Sequence, residues 1–158
     1  MEKSEFKHKI KETVRFHEVD LMGIVNNAIY FTYFEDARIS YTETLKHLYK
    51  FKEILEGESF FIMARNECNY LQPAHFGDEL TIYTKVTLIT NKSFHFVHIV
   101  ENSKTREVIA EGGGVFVHIN IRTKKSQPLP EEFYLAVKDY EGEVVLKKED
   151  EEFSINPE

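Results

Sequence analysis

The chain is short of several residue types, and each shortage excludes a class of protein. It has no tryptophan and one cysteine, Cys68, among its 158 residues. A single thiol excludes an internal disulfide and a cysteine-cluster metal site. No stretch approaches the roughly 20 consecutive apolar residues of a membrane-spanning helix, and the charged N-terminus lacks the apolar core of a signal peptide. We therefore expect a cytoplasmic protein with no membrane partner.

Positive charge is also scarce. The net charge of −7 is concentrated in residues 139–158, which carry −6, and the first 138 residues carry only −1. No basic stripe runs along the chain, so nucleic acid is not an expected partner. Apolar residues make up 42% and aromatic residues 13%, which is typical of an ordered domain with a real core.

The spacing of apolar residues predicts one long helix among several strands. From residue 28 to residue 49 they recur every three or four positions, and Asn26 or Asn27 is a plausible N-cap. Alternation and turn residues predict strands and a short final helix at 12–17, 59–71, 79–90, 94–101, 107–121 and 131–140. The run Gly112–Gly114 predicts a bulge or a close approach by another backbone.

These elements indicate an α+β fold. A single apolar helix of roughly 20 residues is buried most simply by curling an antiparallel sheet around it. We expect one such domain over residues 1–140, followed by an acidic, frayed C-terminal tail over 141–158. The aromatic strands favour a dimer or a higher oligomer that covers or continues the sheet.

Asp20 lies seven residues before Asn27, which is close to the start of the long helix. A helix start offers unpaired N–H groups and partial positive charge, which suit an oxyanion. Gly23 would let the intervening turn approach a ligand, and Asp20 could act as a general base or as a nucleophile. Spacing alone favours the plainer interpretation, in which Asp20 makes a local turn bond or helps to cap the helix.

Other chemistries lack their motifs. The seven histidines show no HExxH spacing, so we expect no metal site. The sequence has no GxSxG, and the triple glycine lacks the GK[ST] ending of a phosphate-binding loop. We expect no cofactor.

The segment VRFHEVDLMGIVNNAIYFTYFEDAR closely resembles the N-terminal signature of hotdog-fold acyl-CoA thioesterases, the 4-hydroxybenzoyl-CoA thioesterase-like family. The resemblance continues more weakly through YLQPAHFGDEL and VFVHINIRTKKSQPLP, and it covers roughly residues 8–135. It implies a hotdog fold, in which one long central helix is wrapped by a curved antiparallel sheet, assembled as a homodimer or homotetramer. It also implies hydrolysis of an acyl-CoA, or of an acyl-carrier-protein thioester, to a free acid and a thiol.

The resemblance assigns roles to individual residues. Asp20 matches the catalytic carboxylate, and Asn27 matches the helix-start position whose N–H polarises the thioester carbonyl. Gly23, Ile24 and Val25 match the turn that passes beside the thioester. Tyr30 matches a helix position near the acyl and pantetheine cavity. One branch of the family has Tyr-His where this chain has Asn26–Asn27, so any role of that histidine is absent here.

The remaining assignments are open. Lys92, Arg122, Lys124 and Lys125 are candidates for CoA phosphate contacts because they are basic and flank strand ends, although a solvated surface explains them equally well. Several aromatic residues could line an acyl cavity or simply pack: Phe60, Phe61, Tyr70, Phe94, Phe96 and Phe116. The sequence leaves undecided the acyl group, the carrier, the choice between base and nucleophile, and the oligomer size.

Two functions from other classes compete with hydrolysis. A non-catalytic hotdog module would bind an acyl-CoA or assemble with a partner, but such a module has no need of Asp20. A hydratase or dehydratase on the same fold is expected to carry a histidine in its own motif, and none of the seven histidines has that context.

Overall fold

A computed structural model describes residues 1–50 and 57–147 of the chain. Its two α-helices are α1 (Ile29–Tyr49) and α2 (Glu131–Glu141). Its six strands are β1 (His8–Thr13), β2 (Ser59–Tyr70), β3 (Glu79–Thr90), β4 (Ser93–Asn102), β5 (Val108–Asn120) and β6 (Val145–Lys147). Neither α1 nor α2, the α-helices of the described residues, has the length and hydropathy of a membrane-spanning segment.

The strands form one sheet in the order β1-β3-β4-β5-β2, so β1 and β2 lie at its ends. β1 pairs with β3 in antiparallel register, with Ile10 opposite Ile82. The short β6 pairs with β3 in parallel, with Leu146 opposite Ile89. The predicted α+β architecture, with helices packed against an antiparallel sheet, is confirmed.

Two parts of the predicted organisation lie outside the described residues. These are residues 51–56 of the charged segment after α1, and residues 148–158 of the expected acidic tail. The tail was expected to begin at residue 141, but β6 forms at Val145–Lys147. The sequence analysis did not predict this strand, because three residues are too few to show a period.

The first predicted strand, at 12–17, was placed wrongly. The strand β1 ends at Thr13, and a 3-10 helix covers Phe16–Glu18. The side chain of Glu18 accepts a hydrogen bond from the Arg15 N–H at 2.7 Å, which closes this turn. Alternation in the sequence could not show that bond. The other predicted strands and helices agree with the structure to within one residue at each end.

The described chain divides into two compact units. The first comprises residues 1–44, 67–85 and 97–113. Its core joins one face of α1 to the sheet, with Tyr33, Phe34 and Ala37 fully buried in a cluster that includes Leu80 and Ile82. Burying each large apolar side chain contributes about 1.5–3 kcal/mol, so this face fixes the position of the helix.

The predicted close approach at the glycine run is confirmed in this unit. A Cβ atom on Gly112 would lie 2.5 Å from the backbone oxygen of Glu67 and 2.5 Å from the Phe34 ring. Only a residue without a side chain fits between β2 and α1 at this point.

The second unit comprises the described residues within 45–66, 86–96 and 114–158. Its centre is a cluster of phenylalanine rings in which the Phe94 ring lies 4.9 Å from Phe61 and 4.9 Å from Phe133. Phe96 and Phe116 extend the cluster. The aromatic residues of β4 and β5 that could have lined a cavity therefore pack against one another.

Candidate active site

The loop between the 3-10 helix and α1 is a closed turn centred on Asp20 and Gly23. The Asp20 N–H donates to the Ile24 carbonyl at 2.8 Å, and the Gly23 N–H donates to the Asp20 carbonyl at 3.0 Å. Gly23 has a φ of +76°, and a Cβ atom there would meet nothing within 4 Å. Backbone conformation, and not space, therefore requires glycine in this turn.

The Asp20 carboxylate is exposed and divides its two oxygens between two environments. Oδ1 accepts hydrogen bonds from the Met22 N–H at 2.8 Å and from the Ile24 N–H at 3.4 Å. In the described part of the chain, Oδ2 accepts none. The turn bond expected from the plainer interpretation is present, and it still leaves one oxygen available to a ligand or a water molecule.

The start of α1 is organised by Asn26. Its side-chain Oδ1 accepts from the Ala28 N–H at 3.0 Å, and its carbonyl accepts from the Ile29 N–H at 3.0 Å. Asn26 is therefore the capping residue of the two that the sequence offered. Among the described residues, the Asn27 N–H has no hydrogen-bond acceptor, which leaves a donor at the positive end of the helix dipole.

Glu18 stabilises the start of α1 through two hydrogen bonds. Its carbonyl accepts from the Asn26 N–H at 2.9 Å, and its buried side chain accepts from the Tyr33 hydroxyl at 3.0 Å. Burial, followed by the Glu18 charge, raises the pKa of Tyr33 above its ordinary value, so the hydroxyl stays a donor. The capping residue is thus tied to a side chain on the second turn of α1.

Tyr70, the last residue of β2, reaches the helix start. Its hydroxyl donates to the Asn27 carbonyl at 2.8 Å, and its ring lies edge-on to Tyr30 with centroids 5.3 Å apart. Burial raises the pKa of Tyr70, with a smaller contribution from the neighbouring Cys68 thiol. Burial likewise raises the pKa of Tyr30 to about 12. Both hydroxyls are therefore protonated at neutral pH.

These elements line an open cavity of about 380 Å³ within the first unit. Its lining residues are Asp20, Ile24, Val25, Asn26, Asn27, Tyr30, Tyr70, Leu71, Gln72 and Pro73. Five of them are residues that the resemblance named for the site, and Gly23 lies in the adjoining turn. Tyr70 was one of the aromatic residues that could line an acyl cavity, and it does so. Leu71, Gln72 and Pro73 were not predicted as part of the site, although they belong to the motif YLQPAHFGDEL, which was the available signal.

The predicted CoA-phosphate residues lie elsewhere in the chain. Lys92 is in the turn between β3 and β4, and Arg122, Lys124 and Lys125 are in the segment after β5. All four are exposed, and Arg122 lies 3.7 Å from Glu58. None of them is among the residues that line the cavity.

The histidines are consistent with core and surface roles. His98 stacks on Phe34 with ring centroids 4.5 Å apart, and burial lowers its pKa to about 3, so the ring is neutral. His118 is held by Ser59 Oγ at 2.6 Å and by the Pro128 carbonyl at 3.0 Å. No group of three or more histidine, cysteine, aspartate or glutamate side chains in the described ranges could hold a metal ion.

Comparison with known proteins identifies the family. The sequence model of the thioesterase-like superfamily matches residues 14–137, which contain the Asp20 turn, the start of α1 and the segment 70–73. The chain belongs to the thioesterase-like superfamily. That membership confirms the predicted hotdog fold and supports thioester hydrolysis as the chemistry.

Two individual proteins and one solved structure are similar to most of the chain. The uncharacterized protein YsmA of Bacillus subtilis is 31% identical over 78% of this chain and 80% of its own. The long-chain acyl-CoA thioesterase FadM of Escherichia coli is 28% identical over 73% of this chain and 86% of its own. A thioesterase from Thermus thermophilus, solved in complex with coenzyme A and Zn, is 31% identical, with a TM-score of 0.73 over 87% of this chain and 97% of its own.

Proposed function

We propose that this protein hydrolyses acyl-CoA thioesters to a free acid and CoA, with the reaction in the cavity between the Asp20 turn and the start of α1. The observation that carries the proposal is that Asp20 and Asn27 line one cavity of about 380 Å³. A carboxylate can serve as the base or nucleophile of acyl transfer, and a free helix-start donor can stabilise its oxyanion. The volume lies within the roughly 300–1,000 Å³ of small-molecule sites.

The Asn27 N–H would stabilise the oxyanion that forms on the thioester carbonyl. This donor is unused by the described residues, and the aligned peptides of α1 place about half a positive charge at the same point. Loss of one such donor costs about 100- to 1,000-fold in rate in other acyl-transfer enzymes.

Asp20 would supply the base or the nucleophile through Oδ2. As a base it takes a proton from water, the hydroxide oxygen bonds to the carbonyl carbon, and the C–S bond breaks as the thiolate leaves and is protonated. As a nucleophile it displaces the thiolate directly, and water then hydrolyses the resulting anhydride. Both routes consume one water and release one acid and one thiol.

The rest of the cavity suits an apolar acyl group. Ile24, Val25, Leu71 and the rings of Tyr30 and Tyr70 form half of the ten lining residues. CoA is the favoured carrier because FadM acts on long-chain acyl-CoA and the Thermus thermophilus structure contains coenzyme A. Contacts from Lys92, Arg122 and Lys124 to the CoA phosphates are part of the proposal, because all three are exposed cations.

A homodimer or homotetramer is also part of the proposal. β2 is at the end of the sheet order, and it exposes Phe60 by 48%, Met63 by 37% and Tyr70 by 48%. An unpaired edge strand with exposed aromatic side chains is a template for pairing with a second chain. Two β2 strands could therefore pair and continue the sheet.

The test is a thiol-release assay over short, long and aromatic acyl-CoAs, with the wild-type protein and Asp20→Asn side by side. We expect turnover of one acyl class, and a loss of at least about 100-fold in kcat in the variant, with the fold and oligomer size unchanged. Wild-type kinetics in Asp20→Asn would remove Asp20 from the mechanism.

An inactive wild-type protein is the other informative outcome. If a folded sample turned over no acyl-CoA, the same assay with acyl-carrier-protein thioesters would test the second carrier. Tight binding of acyl-CoA without turnover of either carrier would favour the non-catalytic module.

A further inference from the structure

We propose that Tyr70 is a positioning residue that holds the helix-start donor of the proposed thioesterase site in place. This inference rests on the proposed function, because it assigns Tyr70 a task in the same reaction. Its basis is the hydrogen bond between the Tyr70 hydroxyl and the Asn27 carbonyl, at 2.8 Å.

The Asn27 carbonyl stands outside the regular hydrogen bonding of α1. The Phe31 N–H, which would reach Asn27 in an α-helix, donates instead to the Ala28 carbonyl at 3.2 Å. Tyr70 supplies the donor that the helix does not. A carbonyl at the first turn is thereby held by a strand 43 residues away in the sequence, and not by the helix itself.

The peptide between Asn27 and Ala28 is held at both ends. Tyr70 binds its carbonyl oxygen, and the Asn26 side chain accepts from its N–H at 3.0 Å. Two bonds on opposite edges of one planar group fix the rotation of that plane. Because the Asn27 N–H is on the neighbouring peptide, fixing this plane restricts the direction in which that donor can point.

The Tyr70 side chain is itself well supported. Its ring packs edge-on against Tyr30, and Tyr30 packs edge-on against Tyr33 with centroids 5.9 Å apart. Tyr33 donates to Glu18, whose carbonyl holds Asn26. These contacts begin at Asn27 and return to Asn26. A displacement of Tyr70 would therefore also shift the start of α1, where the Asn27 N–H lies.

Tyr70→Phe tests the inference because it keeps the ring and removes only the hydroxyl. We expect kcat to fall about tenfold and KM to change less than about twofold, since the apolar lining is retained. Hydrogen exchange of the peptide that covers residues 24–30 should also become faster. p-Aminophenylalanine at position 70 keeps an N–H donor and should restore most of kcat.

Tyr49→Phe is the matched control. The Tyr49 hydroxyl donates to Asp139 at 2.6 Å in the second unit, so its loss should leave kcat unchanged. Light scattering should give both variants the oligomer size of the wild-type protein. This excludes a change of assembly as the cause of a lower kcat in Tyr70→Phe.

The outcomes separate this inference from the proposed function. Tyr70→Phe could retain the kcat and the hydrogen exchange rates of the wild-type protein while Asp20→Asn is inactive. That result would overturn the role of Tyr70 and leave the thioesterase proposal intact. Absence of activity in the wild-type protein would instead overturn the proposed function. In that case, unchanged exchange at residues 24–30 in Tyr70→Phe would show that the hydroxyl does not hold the helix start at all.

Discussion

Gly112→Ala tests the packing of β5 against β2 and α1. The added Cβ atom would lie 2.5 Å from the Glu67 backbone oxygen and 2.5 Å from the nearest Phe34 ring atom. Ordinary contacts of this kind are about 3.4–4 Å, so both neighbours must move by about 1 Å. Glu67 is fixed in β2, and the Phe34 ring is stacked on His98 with centroids 4.5 Å apart, so neither can withdraw freely.

The expected cost follows from overpacking a core that has no free volume. Inserting one methyl group into such a site costs about 1–3 kcal/mol, and the rigid neighbours place Gly112→Ala at about 2–3 kcal/mol. For a chain of this length that corresponds to a decrease in Tm of about 5–10 °C. Urea unfolding and calorimetry at one fixed protein concentration would measure it.

Glu111→Ala is the matched control, because residue 111 is exposed in the same strand. It should change the free energy of unfolding by less than about 0.5 kcal/mol. A free energy of unfolding for Gly112→Ala within the same limit would refute the argument that the glycine run exists for close approach.

Two further predictions concern pH and assembly. Burial lowers the pKa of His98 from 6.5 to about 3, so below pH 6.5 the unfolded chain binds a proton that the folded chain does not. Stability should therefore fall as pH decreases from about 6.5 towards 3, and the free energy of unfolding of His98→Gln should depend less on pH. An equal loss of unfolding free energy between pH 7 and pH 5 in the wild-type protein and in His98→Gln, measured by urea titration, would contradict this. The exposed β2 edge predicts at least a dimer by light scattering at micromolar concentration, and a monomer would exclude pairing of Phe60, Met63 and Tyr70 across two chains.

Regular elements were predictable because their signal is local. The stripe on α1 repeats every three or four residues over about six turns, and its members Phe34, Ala37 and Tyr41 are buried as that period requires. Leu48, the last member of the stripe, is exposed near the end of the helix. The strands β3, β4 and β5 were predicted because turn residues separate them. The end of β1 was not, since it depends on a bond between Glu18 and Arg15 that interrupts an otherwise alternating pattern.

The candidate site was predicted in part for a similar reason. Asp20 and Asn27 are seven residues apart, so the turn that joins them to the helix could be inferred from the sequence. Tyr70 comes from another strand, and no sequence period relates position 70 to position 27. The choice between Asn26 and Asn27 as the cap also needed coordinates, since the two are adjacent and chemically identical.

The closed turn around Asp20 reduces the entropy that is lost when a substrate binds. The turn is bound to the segment that follows β2. The Val25 N–H donates to the Ala74 carbonyl at 2.9 Å, and Ile24 forms an antiparallel bridge with His75. Two turn N–H groups hold Oδ1 of Asp20, so the carboxylate has little rotational freedom to lose when a substrate arrives. The entropy of arranging the reacting groups is therefore lost once, when the chain folds, and not again with each molecule of substrate.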